Sequence, residues 1–207
     1  MTKIFLVRHG QTKWNVLGRY QGQSDIELSE LGLEQAKLLA AGFPEPNISA
    51  VYSSDLQRAY HTAACVADVF GLKVQARKGL REIDFGDWEG KTYKEIAASW
   101  PAAGKTFFSN PEKTVIPAGE SFAFLQKRAM TSLQEIVNEH PGENVVVAAH
   151  GAIIRTILAE ALHMPLQYLW SIRQDNTAVN IIQYDEEHRL VELLNSTAHL
   201  KNAAAKK

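Results

Sequence analysis

KIFLVRHG, at residues 3–10, is a short apolar run that ends abruptly in an arginine, a histidine and a glycine. A run of this length with polar residues behind it predicts a buried strand, and no small-residue cleavage site follows that would indicate a signal peptide. Five further short apolar runs predict strands at 50–53, 73–76, 144–149, 177–184 and 188–195. The first strand therefore carries its polar residues directly at its carboxyl end.

Helical patterns separate the early strands and cover residues 30–42, 55–70, 121–139 and 152–162. Ser29 is a candidate N-cap for the first of these helices. Ser54, followed three residues later by Gln57, matches a capping box for the second. The alternation of strands and helices predicts an α/β fold, in which a mostly parallel sheet has helices on both faces.

Length and composition limit the classes of protein that the chain can represent. Its 207 residues, 45% of them hydrophobic, suit a single domain spanning 1–207. The formal net charge of -1 shows no basic excess, so neither a nucleic acid nor an anionic membrane is expected as a partner. No apolar run reaches the roughly 20 residues that span a bilayer. Cys65 is the only cysteine, which excludes an internal disulfide and fits a cytoplasmic location.

Charged and imidazole side chains follow several of the predicted strands. Arg8 and His9 end the first strand, Arg58 opens the helix after the second, and His150 follows the strand at 144–149. Glu82 lies in an irregular stretch shortly after the strand at 73–76. Because ligands of parallel α/β sheets bind at the carboxyl ends of the strands, we expect these side chains to converge. Singly, each has an ordinary structural or surface interpretation, and their combination is the informative feature.

The combination suits the chemistry of a phosphate monoester. Arginine binds a phosphate through two parallel N–H donors, and a neutral imidazole can attack phosphorus to give a covalent intermediate. A second imidazole can donate to oxygens that gain charge, while a carboxyl group protonates the leaving oxygen and later deprotonates water. Gly151 allows close backbone approach, and the amino end of the helix after it favours an anion.

Six segments resemble the histidine phosphatase superfamily, in the branch that includes the cofactor-dependent phosphoglycerate mutases. These are LVRHGQTKWN (6–15), GRYQGQSDIELSELG (18–32), YSSDLQRAYHTA (52–63), LREIDFGDWEG (80–90), AGESFAFLQKR (118–128) and VVAAHGAIIR (146–155). They follow the family's order, and the resemblance covers roughly residues 2–199. It implies a three-layer fold of the phosphoglycerate mutase type, whose mixed sheet of about six strands contains one antiparallel strand.

The resemblance also implies a role for each candidate residue. His9 is expected to be the nucleophile and Glu82 the proton donor and acceptor, while the phosphate pocket is expected to contain Arg8, Arg58 and His150. Further substrate contacts are implied for Asn15, which holds the phosphoryl group or orients the nucleophile, and for Gln21, Gly22 and Gly151. No metal and no organic cofactor are implied for hydrolysis.

A phosphatase is favoured over a mutase. Family mutases are usually longer and carry a positively charged segment after the catalytic glutamate, whereas here Asp84, Asp87 and Glu89 follow Glu82 and would repel a second anionic group if they faced the pocket. The mutase remains the first alternative and a non-catalytic phosphate-binding protein the second. A metal-dependent hydrolase lacks an HExxH or comparable ligand motif, and a protein substrate lacks a docking feature.

The alcohol that leaves is less well defined by the sequence. Of the aromatic residues, we expect one to three to reach the pocket, with Phe85 and Trp100 favoured because they follow Glu82. His61, three residues after Arg58, is also close enough to be considered. Phosphoserine, α-ribazole phosphate and phosphoglycerate are candidate substrates, and LNSTAHL (193–199) resembles the C-terminal segment of the branch's phosphoserine phosphatases. The partner is therefore a small phosphorylated metabolite, and the protein is expected to be a monomer or a homodimer.

Overall fold

The computed structural model describes residues 1–185 and 188–204. Six strands form one sheet: β1 (Thr2–Arg8), β2 (Ala50–Ser53), β3 (Val74–Ala76), β4 (Asn144–Ala149), β5 (Val179–Tyr184) and β6 (Arg189–Ser196). The helices are α1 (Lys13–Val16), α2 (Glu30–Ala41), α3 (Gln57–Val69), α4 (Tyr93–Ser99), α5 (Pro101–Ser109), α6 (Phe122–Glu139), α7 (Gly151–Ala161) and α8 (Ala198–Ala204). All six predicted strands are confirmed within two residues at each end.

The strand order in the sheet is β3-β2-β4-β1-β5-β6. The pairs β2–β3, β2–β4 and β1–β4 are parallel, whereas β5 runs antiparallel to both of its neighbours. The mixed sheet with one antiparallel strand is thus confirmed. The β1–β4 ladder ends with Arg8 opposite Ala149, so the residues that follow, His9 and His150, leave adjacent strands at the same edge.

Two apolar layers cover the sheet, because successive side chains of a strand point to opposite faces. On β1, Ile4 and Leu6 join the cluster that contains the buried residues of α6 and α7, while Phe5 and Val7 join the cluster beneath α2 and α3. This confirms the three-layer α/β architecture. Among the helices that the structure describes, none has the length and apolarity needed to cross a membrane.

One of the two predicted helix caps is wrong. The Ser29 hydroxyl accepts a hydrogen bond from the Gly32 amide and caps α2 as expected. Helix α3, by contrast, begins at Gln57 and has no side-chain cap of its own. The Gln57 amide donates instead to the Asp25 carboxylate, 2.8 Å away, so a residue distant in sequence satisfies the group that the capping box was expected to satisfy.

Candidate active site

A cavity of about 220 Å³ opens at the carboxyl ends of the parallel strands. Eight of the nine candidate residues lie on its wall: Arg8, His9, Asn15, Gln21, Gly22, Arg58, Glu82 and Gly151. The ninth, His150, is fully buried, and its ring centroid lies 5.2 Å from that of His9. The structure therefore brings together all nine candidate residues.

The His9 ring is oriented by its own chain. Its Nδ1 lies 2.7 Å from the Gly10 carbonyl oxygen, which can only accept a hydrogen bond. Nδ1 therefore carries the hydrogen, and the lone pair is on Nε2. Burial, followed by the charges of Arg58 and Arg8, holds the pKa of His9 well below its ordinary value. His9 is thus a neutral imidazole with a free electron pair on a defined atom.

His150 has the opposite tautomer. The Arg58 Nε group, which can only donate, lies 3.2 Å from His150 Nδ1, so this nitrogen accepts and the hydrogen is on Nε2. That Nε2–H is buried and has no acceptor within the described part of the chain. Burial and then Arg58 hold the pKa of His150 well below its ordinary value. His150 is therefore a neutral donor beside the nucleophile.

The loop before α2 fixes the Arg58 guanidinium. Its Nη2 donates to the Gly22 carbonyl at 2.7 Å and its Nη1 to the Ser24 carbonyl at 2.8 Å. Gly22 has a φ of +52°, and a Cβ there would lie 2.0 Å from the Glu89 carboxylate oxygen, so only glycine fits this turn. Burial lowers the pKa of Arg58 to about 10, and the group remains a cation at neutral pH.

Arg8 presents an unsatisfied donor to the same region. Its Nη1 donates to the Gln174 carbonyl at 2.6 Å, while its buried Nε has no partner among the described residues. Buried donors without partners are rare in folded proteins and call for an explanation. An anion bound in the cavity explains both this nitrogen and the Nε2–H of His150.

The Glu82 carboxylate is anchored by backbone amides. It accepts hydrogen bonds from its neighbour Ile83 at 3.0 Å, and from Ala152 at 3.0 Å and Ile153 at 3.1 Å in the first turn of α7. This amino end was expected to favour the substrate's anion, and in the structure these two amides bind Glu82 instead. These three N–H donors fix the position of the Glu82 carboxyl group on the cavity wall.

Arg128 and Glu120 support Glu82 and were missed by the sequence analysis. Arg128 pairs with Glu120 at 3.0 Å and donates to the backbone carbonyls of Gly79, Arg81 and Glu82. Both charged residues lie in the segment 118–128 that carries the family resemblance. Their opposite charges could have indicated an ion pair, but a spacing of eight residues does not show that Arg128 also binds the carbonyls of residues 79–82.

Asn15 and Gln21 are connected through Thr12. The Thr12 amide donates to Asn15 Oδ1 at 3.1 Å, and the Thr12 hydroxyl donates to Gln21 Oε1 at 2.9 Å. Asn176, which the sequence analysis missed, donates through Nδ2 to the His9 carbonyl at 3.0 Å and approaches Asn15 Oδ1 at 3.4 Å. Asn176 therefore links the backbone of His9 by hydrogen bonds to Asn15 on the cavity wall.

The upper wall of the cavity is aromatic. Its side chains are those of Tyr20, Phe85, Phe107, Phe108 and Trp170. The expectation of one to three aromatic residues was therefore too low. Phe85 is confirmed, whereas Trp100 is wrong because it packs against the apolar core, outside the wall. Trp170 was missed because it lies 88 residues after Glu82, in the 3₁₀ turn Leu166–Ser171.

The three carboxylates after Glu82 do not face the cavity. Glu89 accepts hydrogen bonds from the backbone amides of Gln23 and Ser24, and Asp84 accepts one from Gly86. Asp87 is exposed and also lies outside the wall. The condition under which these groups would repel a second anion is therefore not met, and Glu89 and Asp84 stabilise turns instead. His61 is likewise exposed, lies against Tyr60, and does not reach the cavity.

A larger hollow of about 840 Å³ lies elsewhere, between the end of α6 and the β5–β6 turn. None of the nine candidate residues lines it, so size alone does not identify the site. Within the described ranges, 1–185 and 188–204, no three His, Cys, Asp or Glu side chains group closely enough to hold a metal ion.

One buried imidazole has a free lone pair and lies beside guanidinium groups and a second imidazole whose N–H lacks an acceptor among the described residues. This combination is typical of an enzyme that binds and transfers a phosphoryl group. Comparison with known proteins agrees with this class. The model of the histidine phosphatase superfamily, branch 1, matches residues 4–197, and the chain belongs to that superfamily. The protein is a phosphatase-type enzyme.

Individual relatives cover nearly the whole chain. A metal-independent phosphoserine phosphatase of Arabidopsis thaliana is 37% identical over 98% of this chain and 84% of its own. A probable phosphoglycerate mutase of Yersinia pestis is 32% identical over 97% of this chain and 95% of its own. The solved structure of YhfR from Bacillus stearothermophilus is 36% identical and superposes with a TM-score of 0.92, covering 97% of this chain and all of its own.

We predict that His9 stays neutral when the pH falls through 6.5, the ordinary value for histidine, because burial and then Arg58 and Arg8 disfavour its protonated form. Ring NMR signals followed against pH, with His9 assigned by the His9→Gln variant, measure this directly. In Arg58→Met, which lacks one of the two cations, the His9 midpoint should rise. A wild-type midpoint at or above 6.5 would contradict the prediction.

Proposed function

We propose that the protein is a metal-independent phosphomonoesterase that hydrolyses small-metabolite phosphate esters through a covalent phosphohistidine on His9. The single observation that carries the proposal is the 2.7 Å contact of His9 Nδ1 with the Gly10 carbonyl, because it leaves the Nε2 lone pair free for attack. The lowered pKa of His9 supports the same role, since only the neutral ring is a nucleophile.

In the first step, His9 Nε2 forms a bond to phosphorus as the ester bond breaks. Arg8 and Arg58 bind the phosphoryl oxygens, and His150 donates through Nε2–H to an oxygen that gains charge. Glu82 gives a proton to the leaving oxygen, so the alcohol departs neutral and the Glu82 carboxylate is left with its three backbone donors.

In the second step, the same Glu82 carboxylate takes a proton from water while the water oxygen attacks phosphorus. The bond to His9 breaks, phosphate is released, and Glu82 again holds the proton that the next cycle requires. Asn15, Gln21, Gly22 and Gly151 border the transferred group in this proposal. Asn15 is tied through Asn176 to the His9 backbone, which keeps the phosphoryl site and the nucleophile in register.

The substrate is a small phosphorylated metabolite, as the cavity of about 220 Å³ suggests. The names of the relatives nominate phosphoserine for hydrolysis and phosphoglycerate for the alternative mutase reaction. We further propose one domain over residues 1–207, supported by the single sheet that contains all six strands. A cytoplasmic monomer or homodimer completes the proposal, and Cys65 as the only cysteine agrees with a reducing compartment.

Hydrolysis and mutase activity are separated by following the phosphoryl group. With a chelator present, we expect rapid release of inorganic phosphate from a panel of phosphomonoesters, without isomerisation of 3-phosphoglycerate assayed in parallel. His9→Ala should abolish release, while His61→Ala, an exposed imidazole nearby, should not. Isomerisation faster than release would identify a mutase, and phosphate binding without turnover on any ester would identify a binding protein.

The proton-donor role of Glu82 predicts a dependence on the leaving group. In Glu82→Gln, kcat/KM for an alkyl phosphate should fall about 10²- to 10⁴-fold, which is the usual contribution of a general acid. The fall for p-nitrophenyl phosphate should be much smaller, because that leaving group departs without a proton. Asp87→Asn, at an exposed carboxylate five residues on, is the matched control. Equal losses on both esters would rule out Glu82 as the acid.

A further inference from the structure

Three arginines on the cavity wall have no carboxylate partner. Arg8, Arg58 and Arg155 line the cavity. Among the residues that the structure describes, none of the three forms an ion pair with Asp or Glu. A phosphate monoester brings at most two negative charges. The proposed phosphoryl site uses Arg8 and Arg58, so one unpaired guanidinium, that of Arg155, has no role in it.

Arg155 is held rigidly at this position. Its Nε donates to the Ile172 carbonyl at 2.6 Å and its Nη1 to the Gly151 carbonyl at 2.9 Å. The guanidinium also lies 5.2 Å from the ring centre of Trp170, in a cation–π contact. These contacts leave Nη2 without an acceptor in the described part of the protein. Arg155 therefore presents a preorganised donor with a positive charge.

The location of this charge is electrostatically unfavourable in the free protein. Burial and then the nearby Arg8 charge lower the pKa of Arg155 to about 10. The side chain also folds back toward the amino end of α7, where the helix dipole disfavours a cation. A half-buried cation next to another cation and a positive helix end costs stability, and a bound anion offsets that cost.

Arg155 is adjacent to the phosphoryl site as well. A Cβ placed on Gly151 would lie 3.2 Å from Arg155 Nη1 and 3.6 Å from Arg8 Nε, so the two guanidinium groups flank one small residue. A short substrate could therefore place its phosphoryl group on Arg8 and a second anionic group on Arg155. Aromatic side chains line the cavity beside it, and surroundings of low polarity strengthen a charge contact.

We propose that Arg155 is the specificity-determining residue of this enzyme and binds a carboxylate two or three bonds from the ester oxygen of the substrate. The proposal rests on the proposed phosphatase function and deepens it by naming the substrate class: short phosphorylated acids in preference to phosphorylated neutral alcohols. Arg155 acts by binding this second anionic group, and His9, Arg8 and Arg58 act on the phosphoryl group.

The test compares two esters that share one carbon skeleton. 3-Phosphoglycerate carries a carboxylate where glycerol phosphate carries a neutral hydroxymethyl group. Wild-type enzyme should have the higher kcat/KM for 3-phosphoglycerate. Arg155→Gln should reduce that preference by about 10- to 100-fold, the range expected for loss of a charge-assisted hydrogen bond. Arg155→Lys, which keeps the charge and loses the planar fork, should retain part of the preference.

Arg173→Gln is the matched control, because it removes the same charge from a side chain that is 79% exposed and outside the cavity wall. It should leave the preference unchanged. Equal loss on both esters in Arg155→Gln, with thermal unfolding unchanged, would overturn the proposal, and so would a wild-type enzyme indifferent to the carboxylate. Absence of phosphate release from both esters and from p-nitrophenyl phosphate in wild-type enzyme would instead refute the proposed phosphatase function itself.

Discussion

The parallel pairing of β1 with β4 is the constraint on which the site depends. The ladder runs from Lys3–Asn144 to Arg8–Ala149 and stops there, so the next residue of each strand is a histidine. The two rings then lie 5.2 Å apart, at the ends of the two central strands of the sheet. A shift of one residue in this register would separate the proposed nucleophile from the proposed donor and turn Arg8 to the other face.

The second determinant is the burial of charge around two neutral rings. Burial, followed by the charge of Arg58, holds the pKa values of His9 and His150 well below their ordinary values and keeps both imidazoles neutral. The hydrogen-bond partners then assign one lone pair and one donor, through the Gly10 carbonyl and Arg58. In the proposed mechanism, Arg8 and Arg58 bind the phosphoryl group and also add to the effect of burial that keeps His9 neutral.

Much of the fold and most of the candidate site residues could be predicted from the sequence, because both depend on local sequence patterns. The strands are short apolar runs that end at polar residues; His9 and His150 follow their strands directly, and Arg58 opens the helix after β2. Distant contacts were not accessible. Asp25 replaces the expected cap of α3, and Glu89 stabilises a turn although it lies in an acidic run. Such partners are brought in by the tertiary structure, which spacing along the chain does not describe.

Trp170, Arg128 and Arg155 were missed for the same reason. Arg155 is one helical turn after Gly151, on a face that an apolar helix pattern assigns to the core. Its contacts with the Ile172 and Gly151 carbonyls and with the Trp170 ring show where its charge lies. Trp170 belongs to a turn without a chemical motif. The aromatic and cationic part of the cavity, which is proposed to contact the leaving group, is therefore defined by the structure, whereas the residues of the proposed phosphoryl site could be named from the sequence.

The proposed mechanism requires covalent transfer of the phosphoryl group to one nitrogen of His9. Rapid alkaline quenching of the enzyme during turnover, with ¹⁵N-labelled histidine and phosphorus–nitrogen correlation NMR, locates the phosphoryl group directly. We expect phosphorus bonded to Nε2 of His9, because Nδ1 donates its hydrogen to the Gly10 carbonyl. Phosphorus on Nδ1, on His150 or on another side chain would contradict the account, as would turnover that never forms a phosphoenzyme.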